Sequence, residues 1–228
     1  MYSQAQGTRA VRLPVFRSLP AIVLAALATV LLCALLYYLP QHWHLGTPTQ
    51  LPFTALDRML PFWPLSGLVY FAAFAVLAGT FLALRSFEQA TRFLYANLLA
   101  QIIAVLVFAL WPTIYPRGDF PLPVDTGPLA AALVAFCRSA DLPVNCLPSL
   151  HVSTVTICLA TLWHCTPWGR RALPVMLLAG LALITSTMTF KQHYLLDVMA
   201  GFLLGAGCWW LCFSWRGLRV AMRLPAKG

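Results

Sequence analysis

Long apolar runs alternate with short polar segments along most of this chain. A helix needs about 20 apolar residues to cross the hydrocarbon core of a bilayer, and several of these runs approach that length. The pattern therefore predicts an all-α membrane protein with six spanning helices. We place the spans at residues 19–39, 64–84, 93–111, 149–165, 173–190 and 194–215.

Two apolar runs need a separate interpretation. The first span could be a signal peptide, but it is too long and no small-x-small cleavage site follows Tyr37 and Tyr38, so we expect an uncleaved anchor. The loop at 112–148 contains an apolar run at 129–136 that is too short to span. Because Asp125-Thr126-Gly127-Pro128 is typical of a helix start, we expect a short interfacial helix there.

Basic residues are distributed unevenly over the polar segments. Eleven of the 15 Lys and Arg residues lie in the N-terminal tail, the 85–92 loop, the 166–171 turn and the C-terminal tail. Cytoplasmic segments of membrane proteins are enriched in Lys and Arg, so both termini are expected in the cytoplasm. The opposite face, which carries the 112–148 loop, is then extracytoplasmic.

Composition supports the membrane class and one domain. The chain is 61% hydrophobic and only 9% charged, whereas soluble domains carry about 25% charged residues. The net charge of +9 is too thinly spread for a nucleic-acid-binding face. We expect a six-helix transmembrane catalytic domain at 19–215 between cytoplasmic tails at 1–18 and 216–228. Cys137 and Cys146 lie in the same loop, which we expect to be extracytoplasmic. The sequence allows either a disulfide between them or two free thiols.

Two histidine segments carry the candidate chemistry. His193 and Asp197 are four residues apart at the opening of the sixth span, which puts both on one helix face. A carboxylate bound to one imidazole nitrogen fixes the tautomer and makes the other nitrogen a better nucleophile. A purely structural pair at a helix end is the alternative. His151 lies in the first turn of the fourth span, where free N–H groups favour an anion.

Together these residues suit phosphoryl transfer at the outer face. One histidine would attack phosphorus, the other would protonate the leaving oxygen, and the nearby Lys191 would balance charge. His42 and His44 could bind a metal, but two ligands without a third are weak evidence, and the proposed chemistry needs none. No metal or cofactor is therefore expected.

The segment Pro148-Ser149-Leu150-His151 resembles the second motif, P-S-G-H, of the type 2 phosphatidic acid phosphatase superfamily. Ser186, His193 and Asp197 resemble its third motif, S-R-x5-H-x3-D. The resemblance covers about residues 55–212 and implies the six-helix topology with an outer-face site. It implies that His193 is the nucleophile that forms a phosphohistidine, that Asp197 orients it and that His151 protonates the leaving group. The predicted phosphate-binding residues are Arg117, Ser149, Ser186 and Lys191.

The sequence also departs from the family pattern. The first motif is K-x6-R-P, and although Arg117 fits its Arg, Leu110 and Gly118 stand in place of Lys and Pro. Thr187 replaces the Arg of the third motif, and Leu150 replaces the Gly of the second. Two phosphate-binding cations are thus missing, and Lys191 is the first candidate to compensate, before Arg138 and Arg58. The form of the motifs is nearest to the inositol phosphorylceramide synthase-like branch, whose members transfer a phospho-headgroup between lipids.

The resemblance implies a lipid phosphatase or phosphotransferase in a bacterial inner membrane, with its site facing the periplasm or exterior. Its partners would be a lipid phosphate and the membrane, with no nucleic acid and no obligatory protein partner. The sequence leaves open the lipid, the oligomeric state and the choice between water and an alcohol as acceptor. A transporter is less favoured, because the spans lack mid-bilayer ionisable residues and broken helix pairs. An intramembrane serine protease is disfavoured, because Ser149 follows a proline at the surface.

Overall fold

The structure is a computed structural model that describes residues 15–213. Residues 1–14 of the N-terminal tail, the last two residues of the sixth predicted span and the basic tail at 216–228 lie outside the described residues. The described part is mainly helical. Its α-helices are α1 (Leu19–His42), α2 (Ala55–Met59), α3 (Gly67–Ala83), α4 (Phe87–Leu110), α5 (Pro128–Ala140), α6 (Leu150–Cys165), α7 (Leu173–Thr189) and α8 (Leu195–Phe213).

Four helical segments within residues 15–213 are long and apolar enough to cross a membrane. They are α1, Pro64–Ala83, which joins a short 3-10 turn to α3, then α4 and α8. The helices α5, α6 and α7 are apolar but shorter. Together with the composition, this confirms the membrane character that the apolar runs predict.

Local capping explains where several helices begin. Ser18 accepts a hydrogen bond from the backbone of Ala21 at the start of α1. The third predicted span began at residue 93, but α4 begins at Phe87, because Ser86 accepts from Gln89 N at 3.1 Å. Glu88 and Arg92, one turn apart, form an ion pair of 2.7 Å that supports this added turn. Polar residues that suggested a loop thus belong to a helix.

The loops at 43–63 and 111–127 contain structure that the apolar pattern did not predict. β1 (Thr49–Gln50) pairs in parallel with β2 (Thr113–Ile114), in the register Thr49 with Thr113. The helix α2 caps itself, since Thr54 and Asp57 form a reciprocal capping box. The short helix expected in the 112–148 loop is present as α5, which starts at Pro128 and is longer than the apolar run that indicated it. These elements close the end of the bundle that holds both histidine segments.

The helix α6 packs against α3, α4, α7 and α8, so it forms the centre of the bundle. Its contact with α8 is close because α8 presents glycines to it. A Cβ atom on Gly201 would overlap the carbonyl oxygen of Ser149, and one on Gly205 would lie 2.9 Å from the Cα atom of Ser153. The backbones of the two helices that carry the histidine motifs therefore approach directly.

Candidate active site

Asp197 is a fully buried carboxylate in the first turn of α8. Its Oδ2 lies 3.2 Å from Nδ1 of His193 and accepts the backbone N–H of Tyr194 at 2.9 Å. Because a carboxylate can only accept, Nδ1 of His193 carries the proton and Nε2 keeps its lone pair. The predicted pair is therefore formed, although His193 lies just before the helix and not within it.

The second histidine segment joins the first through the backbone. The N–H of Ser149, the residue that caps α6, donates to the carbonyl of Asp197 at 3.0 Å. His151 follows in the first turn of α6. Its Nε2 is buried and has no hydrogen-bond partner within residues 15–213. A buried imidazole nitrogen without a partner is typical of a group that meets a ligand.

Aromatic side chains hold the His151 ring. Tyr70 on α3 stacks on it with centroids 4.0 Å apart, and Phe74 meets it edge-on at 5.5 Å. Tyr70 is buried, whereas Phe74 is 59% exposed on the apolar outside of the bundle. His151 is thus fixed in position next to the surface that faces lipid.

Arg117, predicted from the first motif, is buried in the 112–148 loop and lies against Asp141. Its Nη1 donates to the Asp141 backbone carbonyl at 2.6 Å and its Nη2 to Asp141 Oδ2 at 2.8 Å. Burial works against the charge, but Asp141 outweighs it and raises the pKa of Arg117. The Nε atom is buried and has no partner within the described residues. The Nε–H is therefore an unpaired donor that could bind an anion.

Lys191 lies in the turn that precedes His193, with a left-handed backbone at φ 56°. It is 2% exposed, and its Nζ donates to the carbonyl of Leu60 at 2.6 Å and contacts that of Asp57 at 3.5 Å. No carboxylate lies within ion-pair distance of it in residues 15–213. Burial lowers its pKa, an effect that the charge of Asp57 opposes. A buried cation without an ion-pair partner favours a bound anion.

The other candidate cations differ in their surroundings. Arg58 lines a cavity of about 370 Å³ together with Lys191, Asp57, Phe53 and Phe120. Arg138 instead donates to the backbone carbonyls of Arg117 at 3.2 Å and Phe120 at 2.7 Å, so it braces the turn that carries Arg117. Leu110, which stands in the lysine position of the first motif, is 65% exposed. Lys191, in the turn before His193, thus shares a cavity with Arg58.

Ser186, the remaining predicted phosphate-binding residue, lies buried in α7 and donates its hydroxyl to the carbonyl of Leu183 at 2.6 Å. It therefore offers no free donor. The residue after it, Thr187, accepts the backbone N–H groups of Gln192 and His193 with its carbonyl. This end of α7 holds the histidine turn through its backbone.

Asp57 is a buried residue of the site that the sequence motifs did not identify. Its Oδ1 accepts the N–H of Leu195 at 2.8 Å, which caps α8, and its Oδ2 accepts from Thr54. It thus fixes the helix start that follows His193. The spacing Thr54-x-x-Asp57, a capping-box pattern, could have indicated the start of α2 but not the bond to α8.

Cys137 and Cys146 are free thiols in the structure, which answers the question that the sequence left open. The Sγ of Cys137 contacts Oε1 of Gln192 at 3.4 Å, next to the histidine turn. Cys146 packs instead with Leu51, Tyr115 and Tyr194. Burial raises the pKa of both thiols, so they remain protonated and unreactive.

Comparison with known families gives one match. A family model described as the PAP2 superfamily matches residues 66–211. This range contains both histidine segments and Arg117 and excludes α1 and α2. Neither the curated proteins nor the solved structures give a significant match.

Proposed function

Because the chain belongs to the type 2 phosphatidic acid phosphatase (PAP2) superfamily, whose members are phosphatases or phosphotransferases, we propose that it cleaves a lipid phosphate ester through a phosphohistidine. The observation that carries the proposal is the His193–Asp197 pair at 3.2 Å, joined through Ser149 to the segment of His151. In this proposal His193 is the nucleophile and His151 is the general acid.

The reaction would proceed in two balanced steps. Nε2 of His193 attacks phosphorus while the bond from phosphorus to the lipid oxygen breaks, and protonated His151 gives its proton to that oxygen. An acceptor hydroxyl then attacks the phosphohistidine and returns a proton to His151, which releases the phosphorylated product and free His193. Asp197 keeps the proton on Nδ1 and stabilises the imidazole as it takes on positive charge.

Cations and N–H groups would neutralise the phosphoryl oxygens. Arg117 offers its unpaired Nε, and Lys191 supplies a buried charge without a carboxylate partner. Ser149 contributes its hydroxyl and the start of α6, where N–H groups favour an anion. These groups would stabilise the charge that grows in the transition state, and in many enzymes such electrostatic stabilisation contributes most of the rate acceleration.

We further propose six spans, with the shorter α6 and α7 added to the four long segments. Helices of 16 and 17 residues reach about 24–26 Å, somewhat less than a bilayer core of about 30 Å. The active site would then lie slightly below the headgroups at the extracytoplasmic face. The bias of Lys and Arg toward the other face supports cytoplasmic termini and a site open to the periplasm or exterior.

The acceptor is either water or an alcohol on a second lipid. Transfer to a lipid hydroxyl, as in the inositol phosphorylceramide synthase-like branch, is supported by the form of the motifs. It is also supported by the position of His151 against Phe74, whose ring is exposed on the apolar surface. A lipid hydroxyl near that surface could reach the acid–base histidine without entering from bulk water.

A lipid-phosphate panel tests both possibilities. Purified protein in vesicles is given phosphatidic acid, isoprenyl phosphates and phosphatidylinositol, with and without diacylglycerol or ceramide, and products are identified by mass spectrometry. Free phosphate alone indicates a phosphatase, and a new phospholipid indicates a transferase. His193→Ala, verified to be inserted and folded, should show no turnover. Normal turnover by that variant would refute the mechanism, and a substrate flux that survives loss of both histidines would favour a transporter.

A further inference from the structure

α1 lies outside the matched family range, yet it reaches the candidate site through one side chain. The hydroxyl of Tyr37 donates to Oδ1 of Asp141 at 2.8 Å. The other carboxylate oxygen and the backbone carbonyl of Asp141 accept from Nη2 and Nη1 of Arg117. The three residues thus form a chain from a membrane helix to the predicted phosphate-binding arginine.

The same stretch of α1 holds the loop that carries Asp141. Oε1 of Gln41 accepts the N–H of Leu142 at 3.0 Å, and the backbone carbonyl of Tyr37 accepts from Nδ2 of Asn145 at 3.1 Å. Asn145 is buried and has a left-handed backbone at φ 61°. These bonds fix the segment 141–145, which leads directly to Ser149.

The segment that these bonds fix leads to the histidines. Ser149, four residues after Asn145, donates its N–H to the carbonyl of Asp197, and the Tyr70 ring stacks on His151. Asp141 accepts from Nη1 and Nη2 of Arg117, whose Nε is buried and has no partner among residues 15–213. The guanidinium is therefore held in one orientation, with its Nε–H unpaired.

We propose that Asp141 and Tyr37 are positioning residues for Arg117 and that α1 thereby completes the active site. The inference rests on the proposed function, in which Arg117 binds the phosphoryl group. A guanidinium that is already oriented loses less rotamer freedom when it meets the phosphate. Asp141 supplies the orientation, and Tyr37 keeps the carboxylate in place.

The test compares Asp141→Asn and Tyr37→Phe in wild-type and Arg117→Gln backgrounds. Loss of the charged partner should lower kcat/KM about 10- to 100-fold, and loss of the tyrosine hydroxyl about 2- to 10-fold. In the Arg117→Gln background neither substitution should lower the residual turnover further, because their effect passes through Arg117. Residual turnover is followed with radiolabelled lipid phosphate.

Two matched control variants change a tyrosine hydroxyl and a carboxylate that do not contact Arg117 or Asp141. Tyr38→Phe removes the neighbouring hydroxyl on α1, and Glu88→Gln breaks another Arg–carboxylate pair, that of Arg92. Both should keep wild-type kcat/KM. If Asp141→Asn or Tyr37→Phe lowers kcat/KM in the Arg117→Gln background by the same factor as in the wild type, the proposal is overturned and the role is purely structural. If Asp141→Asn fails to fold, Tyr37→Phe decides alone. A wild-type protein that turns over no lipid phosphate would instead refute the proposed function.

Discussion

Asp197→Asn separates the chemical role of the buried carboxylate from its structural role. The side-chain volume hardly changes, and the amide oxygen can still accept the N–H of Tyr194, which now bonds to Oδ2 at 2.9 Å. Oδ2 also lies 3.2 Å from Nδ1 of His193, so the same amide oxygen can keep both contacts and the ring keeps its tautomer. The amide nitrogen then takes the place of Oδ1, which is buried without a partner among residues 15–213, and the negative charge is lost.

The size of the effect follows from the lost charge. The His193 ring becomes positive as Nε2 bonds to phosphorus, and the variant has no carboxylate to stabilise it. Removing one group that stabilises charge in a transition state costs about 10²- to 10³-fold in kcat. We therefore expect a loss of about 10²- to 10³-fold in kcat, which corresponds to about 3–4 kcal/mol in the activation barrier. KM should change little, since Asp197 does not bind the substrate.

The assay is release of product from the best lipid phosphate of the panel, in detergent micelles, with thermal unfolding as the check on folding. Asp119→Asn is the matched control, because Asp119 is an exposed acid in the loop that carries Arg117. A loss of less than tenfold in kcat, or an equal loss in the control, would refute the role of the Asp197 charge. A loss confined to KM would mean that Asp197 acts on substrate binding.

Two further predictions concern the helix contact and the buried cation. Gly201→Ala should lower both the thermal midpoint and kcat, because its Cβ would overlap the Ser149 carbonyl. Gly207→Ala, whose Cβ would meet open space, should lower neither. Equal behaviour of the two variants would contradict the close contact. Lys191→Met should raise KM about tenfold. Burial lowers the pKa of Lys191, so at alkaline pH the side chain loses its charge and the wild-type KM should rise. A rise of the same size in Lys191→Met would exclude Lys191 as its source.

The sequence predicted best those features that depend on residues close together along the chain. Apolar length alone predicted the membrane class, and the i, i+4 spacing predicted the contact between His193 and Asp197. The boundaries of the spans were harder to predict than their existence. Residues 86–92 are polar in composition, yet a side-chain cap makes them the start of a helix. The roles of the site residues remain predictions.

Tertiary contacts account for what the sequence could not reveal. The bond from Tyr37 to Asp141 joins residues 104 positions apart, and that from Asp57 to Leu195 joins residues 138 apart. No local pattern predicts which acid meets which helix. The same limit applies to Ser186, whose motif position suggested a phosphate donor while the fold engages its hydroxyl within α7.

The central claim is that His193 carries the phosphoryl group during turnover. Wild-type protein is mixed with a radiolabelled lipid phosphate, quenched at alkaline pH, where phosphohistidine survives, and digested for peptide mass spectrometry. We predict a phosphoryl group on His193 that disappears when acceptor is added. The phosphorylated protein should accumulate in a His151 variant that is given a substrate whose leaving group needs no proton. Turnover without any phosphorylated histidine, or with the label on another residue, would contradict the account.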